Sequence, residues 1–238
     1  MSRSIFICLL VVLVTVASCL SQSRKTDGPY SYKTGDPNGI GKWYMGREIA
    51  HVMGYQGIRW LERQEREKEE NTSRLISNMN LQPDNVVADI GAGSGYHVFR
   101  IHPKIPNGKI YAVDIQQEML EAMRLKKEKF DAGNLVLIKG EEQTVNLPKN
   151  TIDKILMVDV YHEFEFPVEM LESIRQSLKE DGEVYLVEYR GEDRQVPIKK
   201  VHKMTEEQAV KEMNAAGFKL KTNITNLPWQ HCMVFIKE

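Results

Sequence analysis

Three alternate glycines follow a short apolar segment near the middle of the chain and form its strongest chemical pattern. Residues 86–95 read Val-Val-Ala-Asp-Ile-Gly-Ala-Gly-Ser-Gly, and a helical stretch begins at Tyr96. Glycines are needed where the backbone turns sharply and where a ligand approaches with no Cβ in the way. A strand, a glycine-rich loop and a helix, in this order, are the setting in which such a loop binds a ligand. The residues of the predicted binding loop are Gly91, Ala92, Gly93 and Gly95.

A carboxylate after the next predicted strand supports this interpretation. Asp114 ends the apolar segment 110–114 and lies about 20 residues beyond Gly95. An acidic side chain at that distance from a glycine-rich loop accepts hydrogen bonds from both hydroxyls of a ribose. We therefore expect a ligand that contains a nucleoside.

Nicotinamide and flavin enzymes use a related loop, so an oxidoreductase is one alternative. Their loops run G-x-G-x-x-G and place a pyrophosphate at the helix N-terminus. Here the spacing is G-x-G-x-G, and Asp89 lies two residues ahead of Gly91. A ligand with an ammonium group and no phosphate accounts better for the extra carboxylate. A purely structural glycine-rich turn is a further alternative, but it would not require Asp114.

The stretch 86–95 resembles motif I of the class I S-adenosylmethionine-dependent methyltransferases, and Asp114 is similar to that family's ribose-binding acid. The resemblance covers residues 71–238. Residues 147–153 resemble the family's entry to strand four. Residues 178–183 resemble its turn before strand five, with Glu180-Asp181 in place of Pro-Gly. The overall sequence pattern is most similar to the branch of the family that modifies quinones and other small molecules. This similarity is an analogy at the level of the fold.

This resemblance implies a cofactor, a fold and a set of site residues. The cofactor is S-adenosylmethionine. The fold is an α/β Rossmann-like sheet of seven mostly parallel strands in the order 3-2-1-4-5-7-6, with the last strand antiparallel and helices on both faces. Glu141 or Glu142 is expected near the adenine amino group. The implied cofactor-binding residues are Asp89, Gly91, Ala92, Gly93, Gly95, Asp114, Ile115, Glu141, Glu142 and Asp159.

The alternation of apolar and helical segments along the chain agrees with such a fold. Short aliphatic segments alternate with helical stretches after Pro83, which predicts a parallel sheet covered on both faces. The predicted strands are 86–90, 109–113, 135–138, 154–158, 183–187, 219–225 and 231–236. The predicted helices are 116–130, 168–178 and 205–216.

Polar and aromatic side chains follow the fourth and fifth predicted strands, where the methyl group of the donor would project. Methyl transfer is a displacement at a sulfonium carbon, so the enzyme aligns the acceptor, excludes water and removes a proton where the acceptor carries one. His162 is the first candidate for a base because the unperturbed pKa of histidine is near neutrality. Glu163 or Glu188 would orient or replace it. The predicted catalytic residues are Tyr161, His162 and Glu163.

Two other interpretations concern this region. Residues 161–163 could begin a helix and only cap and pack. His202 lies in a connection before the last helix, and such connections often carry binding groups. Cys232 stands alone in the folded part and the histidines are scattered, so we expect neither a disulfide framework nor a metal site.

Composition limits the partners. The chain has 238 residues with 32 Lys+Arg and 33 Asp+Glu, a formal charge of −1. This charge gives no basic field that would attract nucleic acid, so nucleic acid is not an expected partner. The expected acceptor is a small or lipidic molecule, and the sequence does not indicate the oligomeric state.

The N-terminus has the layout of an export signal. An uncharged apolar run at 5–16 follows Arg3 and precedes small residues, so residues 1–18 are predicted to be a signal peptide. Val16-Ala17-Ser18-Cys19 resembles the lipobox of bacterial lipoproteins. That resemblance implies an exported protein anchored to a membrane by lipid on Cys19. The alternatives are a plain signal peptide and an uncleaved anchor, although the run is shorter than the ~20 residues that span a bilayer.

The remaining chain is predicted to have three parts. Residues 19–42, rich in Ser, Gly, Pro and Lys, are expected to be a flexible tether. Residues 43–82 are expected to be helical and either to pack on the sheet or to form a lid, with the charge run 63–70 as a solvated face. Residues 83–238 are the expected methyltransferase domain.

Two hypotheses from different classes follow. The first is an active methyltransferase on a small or lipidic acceptor. The second is a ligand-binding protein that keeps the fold but has lost transfer, since S-adenosylmethionine is made in the cytoplasm and an exported protein would lie away from it. The intact glycines and Asp114 favour retained binding of the donor in either case.

Overall fold

The computed structural model describes residues 26–238, in which a small antiparallel sheet precedes a larger, mostly parallel one. The predicted signal peptide and Cys19 lie outside the described residues. Within residues 26–238, none of the helices is long and apolar enough to cross a membrane.

The small sheet has four antiparallel strands in the order β1-β2-β3-β4. They are β1 (Thr26–Asp27), β2 (Tyr30–Tyr32), β3 (Gly39–Tyr44) and β4 (Arg47–Ala50). The predictions of a flexible tether up to residue 42 and of a helix from Trp43 are therefore wrong over residues 26–50. A small apolar cluster stabilises this sheet: Tyr30, Tyr44 and Ile49 are buried against Phe166 and Val168. This long-range packing compensates for the weak strand propensity of a stretch rich in Gly, Pro and Lys.

Short helices connect the two sheets. A 3-10 turn (Tyr55–Gly57) leads into α1 (Ile58–Leu61), α2 (Arg66–Glu70) and α3 (Thr72–Asn78). The Asn71 side chain caps α3 by accepting a hydrogen bond from the Arg74 amide at 3.1 Å, as expected for an N-cap. The predicted solvated face of residues 63–70 is wrong for Arg66 and Glu70, which are 5% and 2% exposed.

The large sheet contains seven strands and is flanked by four helices. Its strands are β5 (Val86–Ile90), β6 (Lys109–Asp114), β7 (Leu135–Lys139), β8 (Ile152–Val158), β9 (Leu178–Tyr189), β10 (Phe218–Asn223) and β11 (Gln230–Lys237). The helices are α4 (Val98–Ile101), α5 (Gln117–Lys129), α6 (Pro167–Ser177) and α7 (Glu206–Ala215), with 3-10 turns at His102–Lys104, Tyr161–Glu163 and Lys200–His202.

The strand order β7-β6-β5-β8-β9-β11-β10 confirms the predicted order 3-2-1-4-5-7-6. Parallel pairing joins β5 to β6 and to β8, with Val87 opposite Ile110 on one side and Lys154 on the other. Only β11 runs against its neighbours β9 and β10. Buried apolar residues form one cluster on each face of this sheet, so the central strands are covered on both sides.

Two details of the large sheet differ from the prediction. β9 begins at Leu178 rather than at Glu183, and the predicted turn at 178–183 is an irregularity in its pairing with β8, between the pairs Ile152–Leu178 and Lys154–Glu183. The helix after the glycine loop is also short, since α4 starts at Val98. Neither difference moves the carboxyl ends of β5, β6, β8 and β9, where the ligand of an open parallel sheet binds.

Candidate functional site

A cavity of about 630 Å³ lies beyond the carboxyl ends of the central strands. Its wall includes most of the predicted site residues, together with side chains from the helical segment before β5. The predicted residues on the wall are Gly91, Gly93, Asp114, Ile115, Glu141, Glu142, Asp159, His162 and Glu163. Asp89, Ala92, Gly95 and Tyr161 are buried nearby but do not line the cavity.

The glycine loop has the backbone conformation that its sequence predicts. Gly91, Gly93 and Gly95 all adopt positive φ angles of 71°, 54° and 79°. A Cβ at Gly91 would overlap the side chain of Val160, so this position needs glycine for its conformation and for its space. The amides of Gly91 and Ala92 both donate to the Val113 carbonyl, at 2.9 and 3.0 Å, which joins the loop to β6.

Asp114 is held at the end of β6 by the same loop. Its Oδ2 accepts a hydrogen bond from the Gly93 amide and its Oδ1 accepts one from the Gln116 amide, both at 2.8 Å. Burial raises the pKa of Asp114 even though these amides oppose the shift. The carboxylate is thus fixed in orientation on the cavity wall, as a ribose-binding group requires.

Two buried carboxylate oxygens have no hydrogen-bond partner among residues 26–238. They are Oδ2 of Asp89, beneath the loop, and Oδ1 of Asp159, which follows β8 with a φ of 50°. Burial raises the pKa of Asp89 to about 8, and the pKa of Asp159 is raised by burial and by the charges of Glu70 and Glu188. Asp159 lines the cavity, so a bound cation would compensate its free oxygen, and the wall fits a ligand that carries a positive charge.

Arg66 and Glu70 are site residues that the sequence did not reveal. Both line the cavity, and Arg66 Nε lies 2.7 Å from Glu70 Oε2. Glu70 also binds Arg63 Nη2 at 2.6 Å and accepts a hydrogen bond from the Tyr189 hydroxyl at 2.9 Å. Arg66 is the cavity's guanidinium group beside the glycine loop, and such a group binds carboxylates. The only sequence feature that indicates this pair is the spacing of four residues, at which side chains on a helix are neighbours.

Glu141 and Glu142 follow β7 and are exposed on the cavity rim. Gly140 holds this turn against β6 through its amide, which donates to the Asp114 carbonyl at 3.0 Å. Ile115 is 40% exposed and lines the cavity beside Asp114. The structure thus brings the predicted ribose and adenine residues to adjacent positions.

The helical segment before β5 covers part of the cavity. Met53, Gly57, Trp60 and Leu61 line it, and Met53 and Tyr55 are tied to Gln116 by hydrogen bonds of 2.8 and 2.7 Å. Exposed apolar side chains lie at the mouth: Val52, Trp60 and Ile115 are 51%, 44% and 40% exposed. A ligand bound in the cavity would therefore lie against this segment as well as against the sheet.

His162 and Glu163 lie on the opposite side of the cavity from Glu141 and Glu142. His162 is 2% exposed, and its Nδ1 lies 2.6 Å from Glu188 Oε2. Burial alone would lower the pKa of His162, but the charge and hydrogen bond of Glu188 outweigh it and raise this pKa. Burial raises the pKa of Glu163 to about 7. This pair therefore forms a polar, desolvated wall.

His202 belongs to the same wall. Its Nδ1 lies 3.1 Å from His162 Nε2, and burial and the charge of His162 lower the pKa of His202 to about 4. The other histidines do not join this group. His231 pairs with Glu192 at 2.9 Å outside the cavity, and His51 is exposed.

Tyr161 is not part of the cavity. It is fully buried and its hydroxyl donates to Glu212 Oε2 at 2.7 Å, on the side where Arg47 of β4 makes two 2.8 Å contacts with Glu212. A 3-10 turn has three residues per turn, so three consecutive side chains point in three directions. Tyr161 therefore points towards the small sheet, while His162 and Glu163 face the cavity.

A Tyr161→Phe variant is expected to lose about 1 kcal/mol of unfolding free energy, because a single buried hydrogen bond is removed and Glu212 keeps Arg47 as its partner. Any methyl-transfer rate should remain within a few-fold of wild type. Denaturant unfolding and turnover measure the two effects. A tenfold or larger loss of rate at unchanged stability would return Tyr161 to the catalytic set.

Comparison with known proteins identifies a family for this chain. A methyltransferase-domain family model matches residues 81–232. A tRNA U34 carboxymethyltransferase of Aeromonas hydrophila is 28% identical over 117 residues, which are 48% of this chain and 34% of that protein. A probable cobalt-precorrin-6B C(15)-methyltransferase of Methanocaldococcus jannaschii is 33% identical over 78 residues, 33% of this chain and 42% of that protein. The matched regions thus span less than half of these relatives.

Solved structures share the fold. A SAM-dependent methyltransferase from Aquifex aeolicus has a TM-score of 0.74 at 22% identity, covering 79% of this chain and all of that one. A putative type 11 methyltransferase from Sulfolobus solfataricus has a TM-score of 0.58 at 20% identity, covering 71% of this chain and 94% of that one.

Proposed function

This chain belongs to the methyltransferase-domain family, and we propose that it transfers a methyl group from S-adenosylmethionine to a small or lipidic acceptor. The observation that carries the proposal is the arrangement of the cavity. The groups expected to bind the donor follow β5, β6 and β7, and the histidine-rich polar wall follows β8, so both reach the same cavity. Two reactants placed across one cavity meet the geometric requirement of a displacement reaction.

On the donor side, each part of S-adenosylmethionine has a matching group. Asp114 is positioned for the ribose hydroxyls, with the rim residues Glu141 and Glu142 near the adenine. Arg66 donates to Glu70 and to the Leu61 carbonyl through two of its nitrogens, and its remaining nitrogen would bind the carboxylate of the methionyl group. The unpartnered oxygen of Asp159 on the cavity wall favours its positively charged part. A pyrophosphate would instead place phosphate charge beside these carboxylates, which argues against a dinucleotide.

On the acceptor side, His162 is the residue that we propose acts in the transfer step. Its Nδ1 is occupied by Glu188, so Nε2, which contacts His202 Nδ1 at 3.1 Å on the cavity wall, is the nitrogen left to act on an acceptor. The apolar mouth formed by Val52, Trp60 and Ile115 suits an acceptor with a hydrophobic body. These features support a small or lipidic acceptor.

Binding and turnover test the proposal together. Isothermal titration calorimetry of the full chain should show binding of S-adenosylmethionine and S-adenosylhomocysteine and no binding of NAD. Labelled donor should then transfer its methyl group to hydrophobic hydroxyl- or amine-bearing compounds in a screen. Donor binding with no transfer to any acceptor, including lipid extracts, would favour the ligand-binding protein. Tight NAD binding would favour the oxidoreductase.

We also propose that Cys19 carries lipid and holds the domain at a membrane, on the support of the Val16-Ala17-Ser18-Cys19 string. Labelled palmitate is expected to enter the wild-type chain in a bacterial host and not the Cys19→Ser variant. Cys232, which is fully buried, provides the control, because Cys232→Ser should be labelled like wild type. Equal labelling of Cys19→Ser and wild type, or labelling of neither, would contradict the anchor.

A further inference from the structure

Three side chains with metal-binding atoms meet on the acceptor wall. The Nε2 of His162 and the Nδ1 of His202 are 3.1 Å apart, and the Oε1 of Glu163 lies 3.8 Å from each of them. His162 and Glu163 come from the 3-10 turn after β8, whereas His202 comes from the turn before α7. Residues 40 positions apart in sequence thus direct their ligand atoms to one point.

The size of this triangle matches a bound metal ion. A point equidistant from its three corners lies about 2.1 Å from each atom, which is the length of Zn–N and Zn–O bonds in proteins. Two imidazoles and one carboxylate are a common ligand set for zinc and other divalent first-row metals. We propose that His162, Glu163 and His202 bind one divalent transition-metal ion. This proposal departs from the expectation of no metal site, which was drawn from the scattered histidines.

Glu188 provides the support that such a ligand needs. Its Oε2 lies 2.6 Å from His162 Nδ1 and the carboxylate is fully buried, so it fixes the ring with Nε2 turned towards His202 and Glu163. A carboxylate behind a histidine ligand is a regular feature of metal sites. Arg47 further holds this turn by donating to the His162 carbonyl at 3.1 Å.

A hydrogen bond between the two histidines is the competing explanation. It accounts for their 3.1 Å separation, and the Met53 amide holds Glu163 Oε1 nearby at 3.2 Å, but neither contact requires that oxygen to lie at the same 3.8 Å from both ring nitrogens, a distance too long for a hydrogen bond. Separations between 3 and 4 Å are those of atoms that share one ion at bonds of about 2.1 Å. The position of Glu163 therefore favours the metal ion.

The site faces the cavity, which leaves coordination positions for a further ligand, as in catalytic rather than structural metal sites. This consequence rests on the proposed function: the acceptor would be a hydroxyl compound whose oxygen completes the coordination. The metal would lower the pKa of that hydroxyl, so that its proton would pass to solvent. The oxygen lone pair then forms the bond to the donor's methyl carbon, and the carbon–sulfur electrons remain on sulfur in S-adenosylhomocysteine.

Zinc binding to the full chain, purified without a histidine tag and stripped with a chelator, tests the proposal. Calorimetry with ZnCl₂ should show one ion per chain, and CoCl₂ should give visible absorption bands typical of nitrogen and oxygen ligands. Glu188→Gln should weaken zinc binding by about 10- to 100-fold, the usual effect of losing a residue that supports a ligand. His202→Ala should weaken it by at least as much.

The matched control is His231→Ala, which removes a histidine paired with a carboxylate outside the cavity and should bind zinc like wild type. Equal zinc affinity of His202→Ala, Glu188→Gln and wild type would overturn the metal site, as would absence of zinc binding by wild type. Binding of S-adenosylmethionine, measured on the same samples, reports folding and the donor site separately. If the wild-type chain does not bind S-adenosylmethionine, the proposed function is refuted and the zinc result still stands.

Discussion

Asp114→Ala is expected to weaken the binding of S-adenosylmethionine and of S-adenosylhomocysteine by at least about 10²-fold. Hydrogen bonds to a charged group contribute about 1.5 to 3 kcal/mol each, and a ribose offers two hydroxyls to this carboxylate. Both ligands contain the same ribose, so both should lose affinity by a similar factor. Calorimetry with the two ligands measures this effect.

The carboxylate also holds the Gly93 and Gln116 amides, so its removal affects the loop as well as the ligand. Asp114→Asn separates these effects in part because the amide oxygen still accepts one of the two backbone bonds. Asp84→Ala, at an exposed aspartate outside the cavity, is the control and should bind like wild type. Unchanged affinity in Asp114→Ala would refute the ribose assignment.

The parts of the fold that the sequence predicts are those determined locally. The central strands are covered on both faces, so they are nearly continuous apolar runs between glycines and prolines. The glycine loop is equally local, because positive φ angles at Gly91, Gly93 and Gly95 depend on residue type. The order of the strands, however, came from the family resemblance and not from these patterns.

The small N-terminal sheet was missed because its stability depends on distant contacts. Tyr30 is buried against Phe166 and donates a hydrogen bond to Glu169, and Arg47 pairs with Glu212. No periodicity within residues 26–50 contains that information. Arg66 and Glu70 were misjudged for the same reason, since a charge run reads as solvated unless its buried partners are known.

The acceptor wall was predicted only in part. The sequence places His162 after strand four, but the approach of His202 depends on how the turn before α7 folds back over the sheet. Neighbouring positions also separate in space: Tyr161 and His162 are adjacent in sequence, yet one contacts Glu212 and the other Glu188. A cluster assembled from different elements is visible only in three dimensions.

His162→Ala is expected to lower the rate of methyl transfer by about 10² to 10⁴, the usual contribution of a group that handles the proton of the acceptor. The loss is expected whether His162 acts as a free base or as a ligand of a metal ion, because both roles act on the acceptor. Donor affinity should change by less than a few-fold, since the groups positioned for the donor's ribose and adenine follow β6 and β7.

Because His162→Ala leaves the buried Glu188 without its partner, His162→Gln is the better-tolerated companion, and both variants should show the same division between turnover and donor binding. His231→Ala removes a comparable histidine–carboxylate pair outside the cavity and should keep the wild-type rate. Near wild-type turnover in both His162 variants would show that this histidine only packs. If the affinity for the donor falls as much as the rate of transfer, His162 contacts the donor instead of the acceptor.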